Sequence, residues 1–214
     1  MSIALAPEAH PSHTLFPAFL KLEGKRVLVV GAGPVAASKI AGLQAVGAEI
    51  IVVAPEISDN AAFDAVSIRQ RAFEPTDLDD VWYVVAAAPP EINRAVAAAA
   101  TERRLFVNAV DDPGNASVYL GALLRRDGFT IAISTEGHAP ALAGLLREGL
   151  EHLLPTDLHR WLQCARTERE RWLREHVPMD ARRHQLLLAI NRLYADADAS
   201  RAEADASQTE RATP

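Results

Sequence analysis

The stretch KRVLVVGAGPVAASKIAGLQAVGAEIIVVAP, residues 25–55, decides how the chain is read. It opens with the apolar run Val27–Val30, breaks at Gly31-Ala32-Gly33, and continues from Pro34 to Val46 in residues compatible with a helix. A second apolar run follows in EIIVVAPEIS, residues 49–58. Pro34 suits a first helical position, because its fixed φ fits the helix and its missing N–H would have no partner there. The spacing is G-x-G-x-x-A. Gly31 permits a tight turn, Gly33 lets backbone approach a pyrophosphate, and Ala36 allows close strand–helix packing. Amides opening the helix, near Pro34 and Val35, then face an anion along the helix dipole. Strand, glycine turn, helix and strand in this order predict a dinucleotide-binding unit. A turn serving only close packing is the structural alternative.

The acid that usually grips the adenosine ribose about 20 residues on would fall near Val53-Ala54, and neither can do so. Glu56 is the nearest carboxylate. No Arg or Lys follows this strand directly, so a 2′-phosphate has no evident partner and NAD is expected over NADP.

Outward from this unit the chain alternates. AVSIRQRAF (65–73) and DVWYVVAAAPP (80–90) read as strands, PEINRAVAAAATERR (90–104) as a helix with Arg103 and Arg104 in its last turn, and LFVNAVDD (105–112) as a fifth strand. Alternation of this kind implies a parallel sheet covered on both faces. From ASVYLGALLRRDGFTIAIST (116–135) the pattern changes to two strands joined at Arg126-Asp127-Gly128. Helices are expected over 140–155, over 156–176 with Thr156 or Asp157 as N-cap, and over 180–195. The polar remainder, 196–214, reads as a disordered tail, and residues 1–15 as a flexible leader.

With 214 residues the chain can build a real core. A formal charge of −6 argues against a mainly electrostatic nucleic-acid binder. One cysteine, Cys164, excludes an internal disulfide framework and suits a reducing compartment. Its position in a helical stretch marks it as a packing residue. No stretch reads as a signal peptide or a bilayer span, so a cytoplasmic location and no membrane partner are expected. His10 and His13 lie in the leader, and no H-x-x-x-H or Cys–His cluster predicts a resident metal.

Three segments together resemble one family, the precorrin-2 dehydrogenase/sirohydrochlorin ferrochelatases, which also form the N-terminal half of siroheme synthases. They are FPAFLKLEGKRVLVVGAGPVAASKIAGLQAVGAEIIVVAP (16–55), FVNAVDDPGNASVY (106–119) and IAISTEGHAPALAGLLREGLEHLLP (131–155). The resemblance implies a Rossmann-like α/β domain over 16–117, a small α+β dimerisation and tetrapyrrole-site segment over 118–154, and a helical C-terminal region over 155–195. It implies NAD as hydride acceptor, held at Gly31, Gly33, Pro34, Val35, Pro55, Glu56 and Ala88, the adenosine end resting largely on main chain. Precorrin-2 is the implied substrate and sirohydrochlorin the product; in those relatives that keep the chelatase step, ferrous iron is bound only transiently by the protein and inserted into the macrocycle to give siroheme. A homodimer is implied as well. No methyltransferase-like segment follows, so that activity is expected from another protein.

Asp111 matches the family's catalytic aspartate. It also falls at the carboxyl end of the fifth strand, where open α/β sheets place ligands. Loss of hydride leaves a macrocycle that must shed a proton, and a nearby base lowers that barrier. Asp112 competes with it, and D-D-P-G-N is also common turn chemistry. Ser134 and Thr135 match the tetrapyrrole-site motif, yet hydroxyls there equally cap a helix starting near Pro140. His138 could relay a proton or touch ferrous iron, or simply be solvated. Arg147, Arg125, Arg126 and Lys39 are candidate partners for substrate carboxylates, with Arg147 favoured by its place in the matched segment. Glu136 departs from the glycine that relatives often carry. Trp161, Trp172 and Leu173 recur at helical intervals and read as core or dimer contacts. A non-catalytic NAD-responsive sensor, a tetrapyrrole carrier on the same fold, or an oxidoreductase for another substrate remains open from the glycine turn alone.

Overall fold

The computed structural model describes the backbone of residues 15–211 and the side chains of residues 15–195. The expected leader, apart from its last residue, lies outside the described residues, as do 212–214. The chain divides into two compact units, 122–133 with 141 onward forming the second and the rest, including 134–140, the first.

In the first unit β1 (Arg26–Val30), β2 (Glu49–Val53), β3 (Ser67–Arg69), β4 (Tyr83–Ala86) and β5 (Phe106–Ala109) form one parallel sheet in the order β3-β2-β1-β4-β5. Successive strand residues face opposite sides. Val27 and Val29 therefore pack with Ala36, Ala37, Ile40 and Leu43 of α1 (Pro34–Gln44) on one face. Leu28 and Val30 pack with Val96, Ala97, Ala99 and Ala100 of α2 (Pro90–Glu102) on the other. Both faces are covered, which is why these strands read as continuous apolar runs. This is the expected Rossmann-like arrangement, and the order reverses between β1 and β4, where such sheets bind ligands.

Two local expectations shift. The third strand is three residues long because it lies at the edge, with Ser67, Ile68 and Arg69 all exposed. Arg103 and Arg104 lie just past the last turn of α2, although Arg103 still donates to the Ala99 carbonyl at 3.3 Å.

The second unit carries β6 (Ala122–Arg126) antiparallel to β7 (Phe129–Ile133). They are joined by Asp127 and Gly128, both left-handed at φ 51° and 86°, the geometry that two-residue hairpins favour. Three helices follow: α3 (Pro140–Leu153), α4 (Leu158–Arg174) and α5 (Met179–Arg211). Trp161 Nε1 donates to Tyr194 at 2.6 Å and Trp172 Nε1 to Gln185 at 2.8 Å, so α4 and α5 run antiparallel with indoles as their ties. Leu173, by contrast, stays exposed. Asp157 holds the N-cap position of α4 without capping, since its carboxylate accepts from Arg160 and Tyr194. Cys164 is half-buried, and burial, then the nearby Glu168, pushes its thiol pKa up, as suits a packing residue.

The segment expected to be disordered from 196 continues α5 to Arg211. Its Ala, Glu, Gln and Arg residues are good helix formers, and no Gly or Pro interrupts 179–211. Hairpin and helices also group as one unit, rather than as separate segments meeting near residue 154. Among the described residues no helix is long and apolar enough to cross a membrane.

Candidate active site

Strand register fixes the site. Val30 stands beside Val53 and Ala86, and Ala86 beside Ala109, so the exits of β2, β1, β4 and β5 share one edge of the sheet. At the exit of β1, Gly31 has φ of +105°, and a Cβ there would overlap the carbonyl oxygen of Ala87. The turn therefore accepts only glycine. Gly33 is different: its backbone is extended, and a Cβ there would meet nothing within 4 Å. Gly33 is also the N-cap of α1, with no side chain capping it, and Pro34 and Val35 beside it are exposed. An uncapped helix start facing open space can take an anion. These features fit a diphosphate, with Gly31, Gly33, Pro34 and Val35 as its cradle.

Neighbouring loops hold that cradle in shape. Ser58 directs both its hydroxyl, at 2.6 Å, and its amide, at 3.1 Å, to the Ala32 carbonyl, tying the loop after β2 to the glycine turn. Ala88 leaves β4 beside Gly31, with its amide donating to the buried Asn93 side chain at 3.0 Å. Pro55 and Glu56 are exposed beyond β2. Neither Ser58 nor Asn93 was singled out from sequence; a polar residue on the buried face of α2 was the available signal for Asn93.

Cations do stand near this strand end. Arg69 of β3 is the register partner of Val53, its carbonyl accepts from the Ala54 amide at 3.4 Å, and Gln70 Nε2 donates to the Pro55 carbonyl at 3.4 Å. Arg69 and Arg71 converge on Asp77: Arg69 Nη1 and Arg71 Nη2 each lie 2.6 Å from Oδ1, and Arg71 Nη1 lies 2.7 Å from Oδ2. The Glu74 amide adds a fourth bond at 3.0 Å. Burial alone would raise the Asp77 pKa, but hydrogen bonds from Arg71, Glu74 and Arg69 overcome it and hold the group at about 2. A reading along β2 alone misses these arginines, because they arrive one strand later in the chain and beside it only in the sheet.

Asp111 follows β5 by two residues, the preceding Val110 amide still bonding to the Ala86 carbonyl at 2.9 Å. It is exposed and left-handed at φ 56°. Its carboxylate has no hydrogen-bond or ion-pair partner among the described residues. Asp112, in contrast, accepts from Asn115 Nδ2 at 2.8 Å and closes the following turn. The two adjacent acids thus separate into an open carboxylate and a turn former. Two strand spacings, roughly 10 Å, lie between the exits of β1 and β5.

Tyr119 joins the last piece. Its hydroxyl donates to the Pro113 carbonyl at 2.8 Å, and a Cβ on Gly137 would stand 3.3 Å from its ring. The loop after β5 and the segment 134–140 therefore meet across one aromatic ring. In that segment Ser134 Oγ accepts from the Glu136 amide and Thr135 Oγ1 from the Ala139 amide, each at 3.1 Å. Both hydroxyls shape the turn into α3 and keep their protons to donate elsewhere. His138 is exposed, its amide donating to the Thr135 carbonyl at 2.9 Å. Arg147 lies in the second unit, shared between Glu148 at 3.0 Å and Glu151 at 2.9 Å. Arg126, also there, bonds the Glu151 and Leu154 carbonyls at the end of α3.

Residues 18–122 match the family described as "Putative NAD(P)-binding". Siroheme synthase 3 of Aeromonas hydrophila is 39% identical over 184 residues, covering 83% of this chain and 39% of that one. A siroheme synthase of Xylella fastidiosa is 40% identical over 179 residues, covering 80% and 37%. The solved structure of SirC, a precorrin-2 dehydrogenase, superimposes with a TM-score of 0.64 at 26% identity, covering 82% of this chain and 89% of that one. Over about four fifths of its length the chain is thus similar to siroheme synthases and to a precorrin-2 dehydrogenase, 83%, 80% and 82% in the three comparisons. It spans about two fifths of the length of these siroheme synthases, 39% and 37%. The glycine turn lies inside the stretch that matches the NAD(P)-binding description, which ends at residue 122 as β6 begins.

Proposed function

We propose that this chain oxidises precorrin-2 to sirohydrochlorin with NAD⁺ as acceptor, and that Asp111 is the base. The observation that carries the reading is the pairing of an unpartnered, left-handed carboxylate with a glycine cradle on the same sheet edge. Non-glycine residues held left-handed cost about 1–3 kcal/mol and concentrate at functional sites. Bound NAD⁺ would accept a hydride, one hydrogen nucleus with both electrons of a C–H bond. The macrocycle then has one proton in excess, and Asp111 takes it. Gly31, Gly33, Pro34 and Val35 would hold the diphosphate, and Ala88, Pro55 and Glu56 would border the two ends of the cofactor. Ser134 and Thr135, with protons still to donate, suit the carboxylates of a tetrapyrrole, and His138 stands beside them. Arg147, already shared between two glutamates, is the weakest substrate contact of the set.

Ferrous iron insertion would require the pyrrole N–H protons to leave, which the same carboxylate can accept. A homodimer would cover Leu142, Leu145, Leu146 and Leu153, all exposed on α3. The single cysteine suits a cytosolic setting.

The test is an anaerobic reaction of precorrin-2 with NAD⁺, followed by NADH absorbance. Wild type produces NADH and sirohydrochlorin. Asp111→Asn, which keeps the left-handed turn, binds NAD⁺ but loses about a hundredfold or more in turnover, whereas Asp112→Asn stays within a few-fold. Wild-type turnover by Asp111→Asn would remove the base from the mechanism; no NADH from any form would leave a carrier or sensor. Adding ferrous iron to sirohydrochlorin and comparing the rate with a protein-free control decides the second step.

A further inference from the structure

We propose that Arg69 and Arg71, gathered by Asp77, form a receptor for the 2′-phosphate of NADP⁺, so that the cofactor range includes NADP⁺ as well as NAD⁺. The inference rests on the dinucleotide reading of the glycine turn and adds to it a specificity-determining pair.

Position supports it first. The adenosine half of a dinucleotide lies over the exit of β2, and Arg69 is hydrogen-bonded to that exit through Ala54, as Gln70 is through Pro55. Charge supports it next. Two guanidinium groups around one carboxylate leave a net positive cluster, with Glu74 and Glu56 the acidic neighbours along the chain. At the end of β2 itself the acid that would repel a 2′-phosphate is replaced by Val53 and Ala54. Donor capacity is also left over. Arg69 commits only Nη1, and its Nε and Nη2 make no hydrogen bond among the described residues. The Arg69 and Arg71 side chains remain 45% and 39% exposed, while the Asp77 side chain is fully buried. The acid therefore fixes both guanidiniums: Arg69 keeps Nε and Nη2 open, while Arg71 spends Nη1 and Nη2 on Asp77 and the Ala72 carbonyl and adds its charge. Guanidinium forks held in this way match phosphate geometry without further ordering.

Titration of the full chain with NAD⁺ and with NADP⁺ tests the idea, the readout being the ratio of the two affinities. In the wild type NADP⁺ binds within about tenfold of NAD⁺, and Arg69→Gln or Arg71→Gln shifts the ratio about tenfold toward NAD⁺, the loss expected for one charge-assisted hydrogen bond. Asp77→Asn loosens both guanidiniums and moves the ratio the same way, toward NAD⁺. A purely structural role would weaken both cofactors together and leave the ratio fixed, which overturns the proposal. Binding of NAD⁺ with none of NADP⁺ also overturns it while leaving the glycine cradle intact; failure of both cofactors to bind removes the cradle reading as well.

Discussion

In the first unit Val27, Leu28, Val29, Ile40, Val52 and Val53 have no exposed surface. In the second, Leu124, Ala143, Leu158 and Trp172 are the apolar side chains buried among those described, while Leu145 and Leu153 of α3 are 65% and 79% exposed. The parallel sheet closes its own core between two helical layers, so its strand exits are rigid enough to carry a site. The second unit leaves a row of leucines open on α3: Leu142, Leu145, Leu146 and Leu153. One region spends its apolar residues on internal order, and the other leaves many of them exposed.

The sharpest way to break that contrast is at the glycine turn. Gly31→Val adds a left-handed β-branched residue and forces its side chain into the Ala87 carbonyl, costing about 3–5 kcal/mol when strain and overpacking are combined. Thermal unfolding of the variant should show the first unit melting early. Gly33→Ala tests the same turn for function, since its Cβ enters open space. That variant unfolds near the wild-type temperature yet binds NAD⁺ poorly; normal binding would mean that the space is not where the diphosphate lies.

A charge on α3 addresses the other region. Leu145→Glu places a carboxylate within the exposed leucine row, and if that row is the subunit contact the change weakens association by about 2 kcal/mol or more, as for a central interface residue. Sedimentation should then report monomer at concentrations where the wild type is dimeric. Retention of the dimer would assign the contact to another surface, and the leucines would need a different explanation.

The same division explains what was legible in the sequence. Apolar runs buried on both sides carry an unambiguous pattern, so β1, β2, β4 and β5 and the glycine turn could be placed from residues alone. Asp127-Gly128 likewise announced its hairpin, because few residue pairs accept two left-handed conformations. The edge strand β3 was overlong in the reading because nothing packs over its exposed residues to mark its ends. Helix α5 is expected only to residue 195, because the small and polar sequence of 196–211 carries no apolar periodicity. At the site, Asp111 was placed by its strand, but its distinction from Asp112 rests on a bond from Asn115 that spacing does not reveal. Tyr119, Ser58 and the Arg69–Asp77–Arg71 cluster depend on contacts between loops that meet only after the sheet assembles.

Acid should separate the two units by a smaller amount. The Asp77 pKa falls from 3.8 to about 2 on folding, because the bonds from Arg71, Glu74 and Arg69 outweigh the burial that would raise it. A depressed carboxylate stabilises the fold fully above its unfolded pKa, and that contribution is lost as pH falls through the folded value. Between about pH 4 and pH 2 the unfolded chain takes up a proton that the native chain refuses, and roughly 2 kcal/mol disappears from the first unit. In the second unit the pairs of Arg147 with Glu148 and Glu151 lie at the surface, where such pairs contribute about 0–1 kcal/mol. Hydrogen exchange measured across this range should therefore show protection falling faster at β3 and the Asp77 turn than in α3 and α4. Asp77→Asn should flatten the difference, since no carboxylate remains to titrate; a slope that persists in the variant would place the acid-sensitive group elsewhere in the sheet.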